Sequence, residues 1–534
     1  MSELYYGDAF DVLSEKISDE SVDLVYLDPQ TRFNQAHNIS PEDRGRDYID
    51  RSSDSLLGEL MPEADSKAVY RASLVDNAPE PLKTSIETIR VIAGEGPTFS
   101  YIASNAGIFP ELYRTLKPAG FLVLQCNPAV SHYFRLTLDA VFGQTNFRNE
   151  IVWKYLKRRP SQTLHVPRNH DAILVYGKTD KAIWNRDALF AARDINDSSF
   201  EYKHKGYRRD EEGRLYRHVS LVNPNPNREN YSYEFLGVTR VWRWAKERME
   251  SAYNSGLIEQ RAPGSVPVLK QYIDESRGEA IDEIWTDIPG ASYKEAQRLG
   301  YPTQKPAELL ARIISMTTLP GGMVLDPYAG EGITVDVAQD LSRRWIGINK
   351  TTQGIALIDT RLRHKYGEEA RDHYNIVGLP HDLNSARALL ANSPAEFERW
   401  CLMQVDGQFH DSRHGDRGFD GIIRIPLDHN GVSQRILVSV KAGRIKKTHI
   451  VELERAVRKH RAAMGIIITM DEPDLSALDA MTNSGVFNHP GTGVTYPKIQ
   501  IIKVEQLLQN QRPEMPTPLL PYFQEIPRSR GSDS

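Results

Sequence analysis

The stretch Val22-Asp23-Leu24-Val25-Tyr26-Leu27, stopped abruptly by Asp28-Pro29, constrains the fold more than any other. A short apolar run cut off by an acid and a proline reads as a strand buried on both faces, as in parallel sheets. Pro29 fixes its own φ and turns Asp28 away from helix, so the acid is held at the strand tip. In open α/β sheets ligands bind outside the carboxyl ends of the strands, where Asp28 lies. Taken alone, the stretch is equally an ordinary strand end followed by an Asp-Pro turn.

The surrounding rhythm favours the first reading. Residues Tyr5 to Asp28 read as strand, helix, strand, with Asp8 capping a helix that carries Phe10, Val12 and Leu13. From Asn34 to about Pro97 the chain is polar, acid-rich and irregular. Alternation returns with the strand Phe121-Leu122-Val123-Leu124, a helix holding Tyr133, Phe134, Leu136, Leu138 and Val141, and the strand Ile151-Val152-Trp153. It resumes at Met323-Val324-Leu325-Asp326, the loop Pro327-Tyr328-Ala329-Gly330-Glu331-Gly332, a helix through Val335 and Ala338, and a strand ending at Asn349. This alternation predicts a mostly parallel sheet. Strand, glycine loop and helix in that order suit a cofactor, because glycines admit close approach and a helix start offers free N–H groups.

Between about Lys154 and Asp287 the rhythm breaks. Basic residues, among them Lys157, Arg158, Arg159, Arg208, Arg209, Arg240 and Arg243, interleave with Tyr202, Tyr207, Tyr216, Tyr233, Trp242 and Trp244. Basic groups neutralise phosphates and aromatic faces stack on exposed bases. The same composition also describes a solvated surface over an aromatic core. After about Pro380 a second, smaller α/β module follows, with a helix near Ala395–Gln404, strands at Ile436–Lys441 and Gly465–Thr469, and a charged helix between them. The Pro-rich residues 512–534 are expected to be poorly ordered.

Composition excludes some classes. The net charge of only −5 over 534 residues rules out no partner, because a nucleic-acid footprint can be local while the remaining surface is acidic. Two cysteines, Cys126 and Cys401, are too far apart in sequence to suggest a metal cluster or disulfide framework, which favours a reducing compartment. No apolar run approaches the ~18 residues of a membrane span. Met1–Tyr6 lacks the basic flank and apolar core of a signal peptide, so a cytoplasmic location is expected.

In this order the motifs resemble the S-adenosylmethionine-dependent DNA amino-methyltransferases of the beta arrangement, in which the catalytic motif precedes the cofactor motif. The resemblance rests on Gly7-Asp8, Ser21–Pro29, Leu116-Lys117-Pro118, Asn146–Lys154, Trp285–Ile288, Tyr301-Pro302-Thr303-Gln304-Lys305-Pro306, Val324–Thr334 and Arg344–Ile348. It implies an α/β fold with a Rossmann-like methyltransferase sheet, an inserted target-recognition domain, and double-stranded DNA as substrate. The base is flipped out and its amino group meets a carboxylate and a backbone carbonyl. Asp28 matches the carboxylate, and Asp at this position favours adenine N6 over cytosine N4. The S-adenosylmethionine site matches Asp8, Thr303, Gln304, Lys305, Asp326, Tyr328, Gly330, Gly332 and Asn349. Lys157, Arg158 and Arg159 fall in the implied DNA-binding insertion. Neither cysteine has the Pro-Cys context of a C5-cytosine nucleophile.

Three departures from the pattern touch the chemistry. Gln30 and Thr31 replace the usual second proline and aromatic, which makes Phe33 the candidate ring over the flipped base. Glu331 stands in the cofactor loop where a small or uncharged residue is usual. Asn349 stands where an acid normally grips the ribose. The C-terminal module resembles Mrr-type members of the restriction-endonuclease-like fold; Asp420 and Lys441 match its nuclease positions, with Glu398 as an extra acid and Ser439 in place of the usual acid or Gln. That resemblance implies Mg²⁺ at Asp420, but Ser439 counts against metal binding, and an inactive DNA-binding or assembly module is the slightly favoured reading of this domain.

The chain is therefore expected to divide into a catalytic half (1–153), a target-recognition insertion (154–287), a cofactor-binding half (288–380), a restriction-endonuclease-like domain (381–511) and a flexible tail (512–534). The function implied is site-specific adenine-N6 DNA methylation in a restriction-modification or defence setting, with a homodimer or restriction-system subunits as partners and no membrane. Two alternatives stand beside it, a DNA-binding pseudo-methylase and a fused modification-restriction protein with Mg²⁺-dependent nuclease activity.

Overall fold

The computed structural model describes residues 1–29, 78–155, 169–191, 206–273, 279–290, 305–410, 418–427 and 433–519. The chain folds as two compact units, Met1–Ile183 with Glu283–Ser534, and Trp184–Asp282.

Among the described residues of the first unit, nine strands form one sheet. They are β1 (Ser2–Tyr6), β2 (Val22–Leu27), β3 (Leu116–Cys126), β4 (Phe147–Lys154), β5 (His170–Gly177), β6 (Ile284–Trp285), β7 (Met323–Asp326), β8 (Arg344–Asn349) and β9 (Tyr374–Val377), in the order β6-β4-β5-β3-β2-β7-β8-β1-β9. All neighbours are parallel except β5, which runs antiparallel to both β3 and β4. Central strands are apolar on both faces, and Val25, Leu27, Leu122, Leu124 and Leu325 share one core with flanking helical residues such as Leu13, Ile86, Ile102 and Phe134. Burying such a run on two sides favours the parallel arrangement seen in β2. Asp8 caps α1 (Ala9–Lys16) by accepting from the Phe10 N–H at 2.9 Å.

One boundary moves. The insertion expected from residue 154 begins instead after β5, since His170–Gly177 and Ile284–Trp285 pair in the main sheet. The basic and aromatic composition of the region hid this apolar strand, whose reversed direction needs no helical crossover from β4.

The second unit has its own small core of Leu221, Phe235, Trp242, Met249 and Ile258. Trp242 is fully buried and donates its indole N–H to the Tyr233 carbonyl at 2.8 Å, and Tyr216 and Tyr272 are buried too. These rings are core rather than stacking surfaces, whereas Arg208, Arg240, Arg243 and Lys246 are exposed.

Beyond β9, the described residues build a five-stranded sheet, β10 (Gln408–Phe409), β11 (Gly421–Pro426), β12 (Ser433–Lys441), β13 (Met464–Thr469) and β14 (Ile499–Lys503), in that order. Phe397, Trp400, Ile436, Ile466 and Ile468 fill one of its faces. Part of the expected tail is tied down: the Leu519 N–H donates to the Arg424 carbonyl at 2.8 Å, and Met515 packs against that core. No helix of the described residues is long and apolar enough to cross a membrane.

Candidate active site

The strand register decides what can meet. β2 pairs with β7 through Leu24↔Val324 and Val25↔Leu325, so Asp28 and the loop after Asp326 leave the sheet side by side at the same edge. Asp28 lies 3.4 Å (Oδ2) from the Lys305 ammonium, which is also 3.5 Å from Asp171 Oδ2. Asp171 is in turn held by Gln125 Nε2 at 2.8 Å and by the Tyr155 hydroxyl at 3.1 Å. Tyr26 donates to Gln125 Oε1 at 2.7 Å and completes a buried polar string. Next to it the Tyr101 hydroxyl donates to the Pro29 carbonyl at 2.9 Å, fixing the backbone that follows the acid.

This arrangement sets the charges. Burial raises the Asp28 carboxyl above its ordinary range, and Lys305 opposes that rise. Burial works against the Lys305 charge, but Asp28 and Asp171 outweigh it and hold the ammonium protonated. Asp326 is pushed up to about 7, chiefly by burial. The Cys126 thiol beside these acids is buried and raised as well, so it supplies no thiolate.

The glycine loop is built for close approach. Gly330 (φ +48°) and Gly332 (φ +79°) are in the left-handed region, and a Cβ at Gly332 would stand 2.6 Å from Ile358 Cγ1. The Tyr328 N–H donates to Asp326 Oδ1 at 3.0 Å. Glu331 is buried, its Oε2 has no hydrogen-bond partner, and Arg361 Nη2 is 3.9 Å away. Burial pushes this carboxyl up to about 7 against the pull of Arg361. Asn349 is committed to the protein at both ends: Nδ2 donates to the Gly330 carbonyl at 2.9 Å, and Oδ1 accepts from the Thr351 N–H and hydroxyl, each at 3.0 Å. It acts as a loop staple and leaves no free acceptor of the kind expected for a ribose.

Of the residues singled out in the sequence, Asp28, Pro29 and Lys305 come together, beside the loop residues Asp326, Tyr328, Gly330 and Gly332. Phe33, Thr303, Gln304, Lys157, Arg158 and Arg159 lie outside the described residues. Asp171, Gln125, Tyr26, Tyr101 and Tyr155 escaped the sequence reading. The polar Gln125 and Asp171 within apolar strands were the available signal.

The nuclease-like positions also meet, but as a closed set. Asp420 Oδ2 accepts from the Val440 N–H at 2.7 Å and from the Ser439 hydroxyl at 3.1 Å, with the Lys441 ammonium 3.9 Å away. Glu398 is raised by burial and then by Asp420. Among the described residues no group of three or more His, Cys, Asp or Glu side chains could hold a metal. Mg²⁺ requires near-octahedral oxygen ligation, often through one or two carboxylates; here Asp420 Oδ2 already accepts two protein donors and Ser439 stands in place of the second acid or Gln, so the residues present fit the ion poorly.

Comparison with known proteins completes the assignment. The DNA methylase family of N6/N4 type matches residues 93–359, half of the chain. This chain belongs to the N6/N4 DNA methylase family. Residues 393–509 match a second family, the NACHT-associated inactive restriction endonuclease 1. The chain is similar to the type II methyltransferase M.EcaI of Enterobacter cloacae, 26% identical over 40% of this chain and 46% of that one. It is also similar to the Mod subunit of the type III restriction-modification enzyme StyLTI of Salmonella typhimurium, 24% identical over 63% of this chain and 49% of that one. The chain thus spans about half the length of these curated relatives. A Thermus thermophilus protein, TTHA0409, solved with S-adenosyl-L-methionine, aligns with 71% of this chain and all of its own at 16% identity and a TM-score of 0.33.

Proposed function

We propose that the protein transfers a methyl group from S-adenosylmethionine to an exocyclic amino group in duplex DNA, at adenine N6, in a restriction-modification or defence setting. The observation that carries this reading is the juxtaposition of Asp28-Pro29 with the glycine loop on the neighbouring strand. An exocyclic amine is a weak nucleophile because its lone pair is delocalised into the ring, so the protein's task is orientation in a preorganised polar site. Asp28 and the Pro29 carbonyl are the two acceptors for the amino group. Tyr101 holds that carbonyl in place, and Lys305, itself anchored by Asp171, opposes the rise that burial imposes on the Asp28 carboxyl.

The residues present fit the donor in part. Gly330 and Gly332 turn the loop through left-handed conformations, with Ile358 packed where a Gly332 Cβ would stand, and the orphaned Glu331 Oε2 is a ready partner for the donor's ammonium group. When bound, S-adenosylmethionine supplies an electrophilic methyl on a sulfonium. We assign Asp8, Tyr328 and Asp326 to the same site, and the Trp184–Asp282 unit, with its exposed arginines, to target recognition. The recognition partner is double-stranded DNA; a second copy or restriction subunits are the expected protein partners.

The test is to sequence modified bases in DNA from cells expressing the wild type beside Asp28→Ala. N6-methyladenine at one motif, lost in the variant, is expected. Modification at cytosine N4 would overturn the choice of base, and modification persisting in the variant would overturn the site. The commitment of Asn349 to the loop favours one second reading, a DNA-binding methylase homologue that holds S-adenosylmethionine poorly. Tight calorimetric binding of S-adenosylmethionine would remove it.

A further inference from the structure

The C-terminal module resembles a nuclease family described as inactive, and its acid is capped by its own backbone. It nevertheless grips one helix of the methylase. That helix, α2 (Thr352–Tyr366), follows β8 and is the back wall of the glycine loop. Ile358 stands where a Gly332 Cβ would be, Arg361 Nε donates to the Glu331 carbonyl at 2.9 Å, and Gly354 lies against the Asn349 side chain. An outer helix of an α/β sheet normally keeps a solvent face. In α2 ten residues from Thr352 to Leu362 are buried, including Asp359, Thr360 and Arg361.

The covering element is α3 (Pro394–Met403), the first helix in the stretch that matches the nuclease family. Glu396 Oε2 accepts from the Thr352 N–H at 2.8 Å and from the Thr352 hydroxyl at 2.7 Å. The Thr352 N–H is the first of the free amides at the start of α2, and a carboxylate there also meets the positive end of the helix dipole. Three turns on, Arg363 Nη1 donates to Asp406 Oδ1 at 2.7 Å, just past the end of α3. Helix α2 is thus fastened to the module at both ends of one face. At the tip of β1, burial first, and then the Glu396 charge, raises the Tyr6 hydroxyl.

We infer that the C-terminal module is a fixed buttress for the cofactor loop, acting through α2, with Glu396 as the positioning residue. This rests on the reading that the loop holds S-adenosylmethionine. It gives the nuclease-like fold a task that needs neither metal nor cleavage, and it makes the module necessary for a competent methylase half.

The experiment uses the full chain as wild type, Glu396→Ala and Glu396→Gln. It measures S-adenosylmethionine binding by calorimetry and amide hydrogen exchange without ligand. Loss of a capping acceptor is expected to weaken binding about fivefold in Glu396→Ala. The same variant should speed exchange over residues 328–332 and 352–354 while Met464–Thr469 keeps its protection. Glu396→Gln, whose amide oxygen still accepts, should lie nearer the wild type. Exchange over 328–332 or over 352–354 unchanged in Glu396→Ala would overturn the buttress. If the wild type binds no S-adenosylmethionine, the cofactor reading falls, and the exchange comparison still decides the buttress by the same criterion. If Glu396→Ala loses protection throughout the module, Thr352→Val, which removes only the hydroxyl contact, takes its place with the same two outcomes.

Discussion

Replacing Lys305 by Met tests the charge logic of the site most directly. The ammonium sits 3.4 Å from Asp28 and 3.5 Å from Asp171. At an effective dielectric near 20, each separation corresponds to an attraction of roughly 5 kcal/mol. The Lys305 and Asp28 side chains keep 21% and 28% of their surface, so solvent screens part of this. Removing the ammonium also removes its own desolvation cost, which leaves a net coupling of about 2–3 kcal/mol. Burial already raises Asp28, and losing Lys305 raises it further. A carboxyl raised in the folded state binds protons that the unfolded chain releases, so the variant loses stability as pH rises above the ordinary carboxylate range. A double-mutant cycle of Lys305→Met with Asp28→Asn, followed by urea unfolding, should give that coupling near pH 8 and a smaller one near pH 5. The acid limb of methyl transfer in Lys305→Met should move to higher pH. A coupling near zero at pH 8, or one that grows on acidification, would show that Lys305 does not hold the Asp28 charge.

Two further outcomes follow from the loop. Restoring the family's acid with Asn349→Asp should weaken S-adenosylmethionine binding, because a carboxylate would face the Gly330 carbonyl that Nδ2 now satisfies; an unmet buried group costs about 1–3 kcal/mol, and calorimetry showing tighter binding would contradict this. Glu331 is raised from 4.5 to about 7, so its burial costs nothing well below the ordinary value and increasingly destabilises the fold as pH climbs through 7. Glu331→Gln should therefore be more stable than wild type near pH 8, by up to about 3 kcal/mol, with the gap closing near pH 5 in urea unfolding.

Most strands of the main sheet, the order of the motifs, the Asp28-Pro29 tip and the glycine loop were legible in the sequence alone. These are local signals: an apolar run, the residue that stops it, and the glycines that follow are written within about ten residues of one another. The sequence also exposed the weak points at Glu331 and Asn349, although not what they do. The folded chain was needed to show that Asn349 staples Gly330, that Glu331 is backed by Arg361, and that β5 belongs to the main sheet. It alone joined Tyr26, Gln125, Asp171 and Lys305 into one string beside Asp28, and Glu396 to Thr352. Such contacts are made by strand register and helix packing. Register brings together residues far apart in the chain, as Tyr26 and Gln125 are, and no periodicity within either segment records its partner.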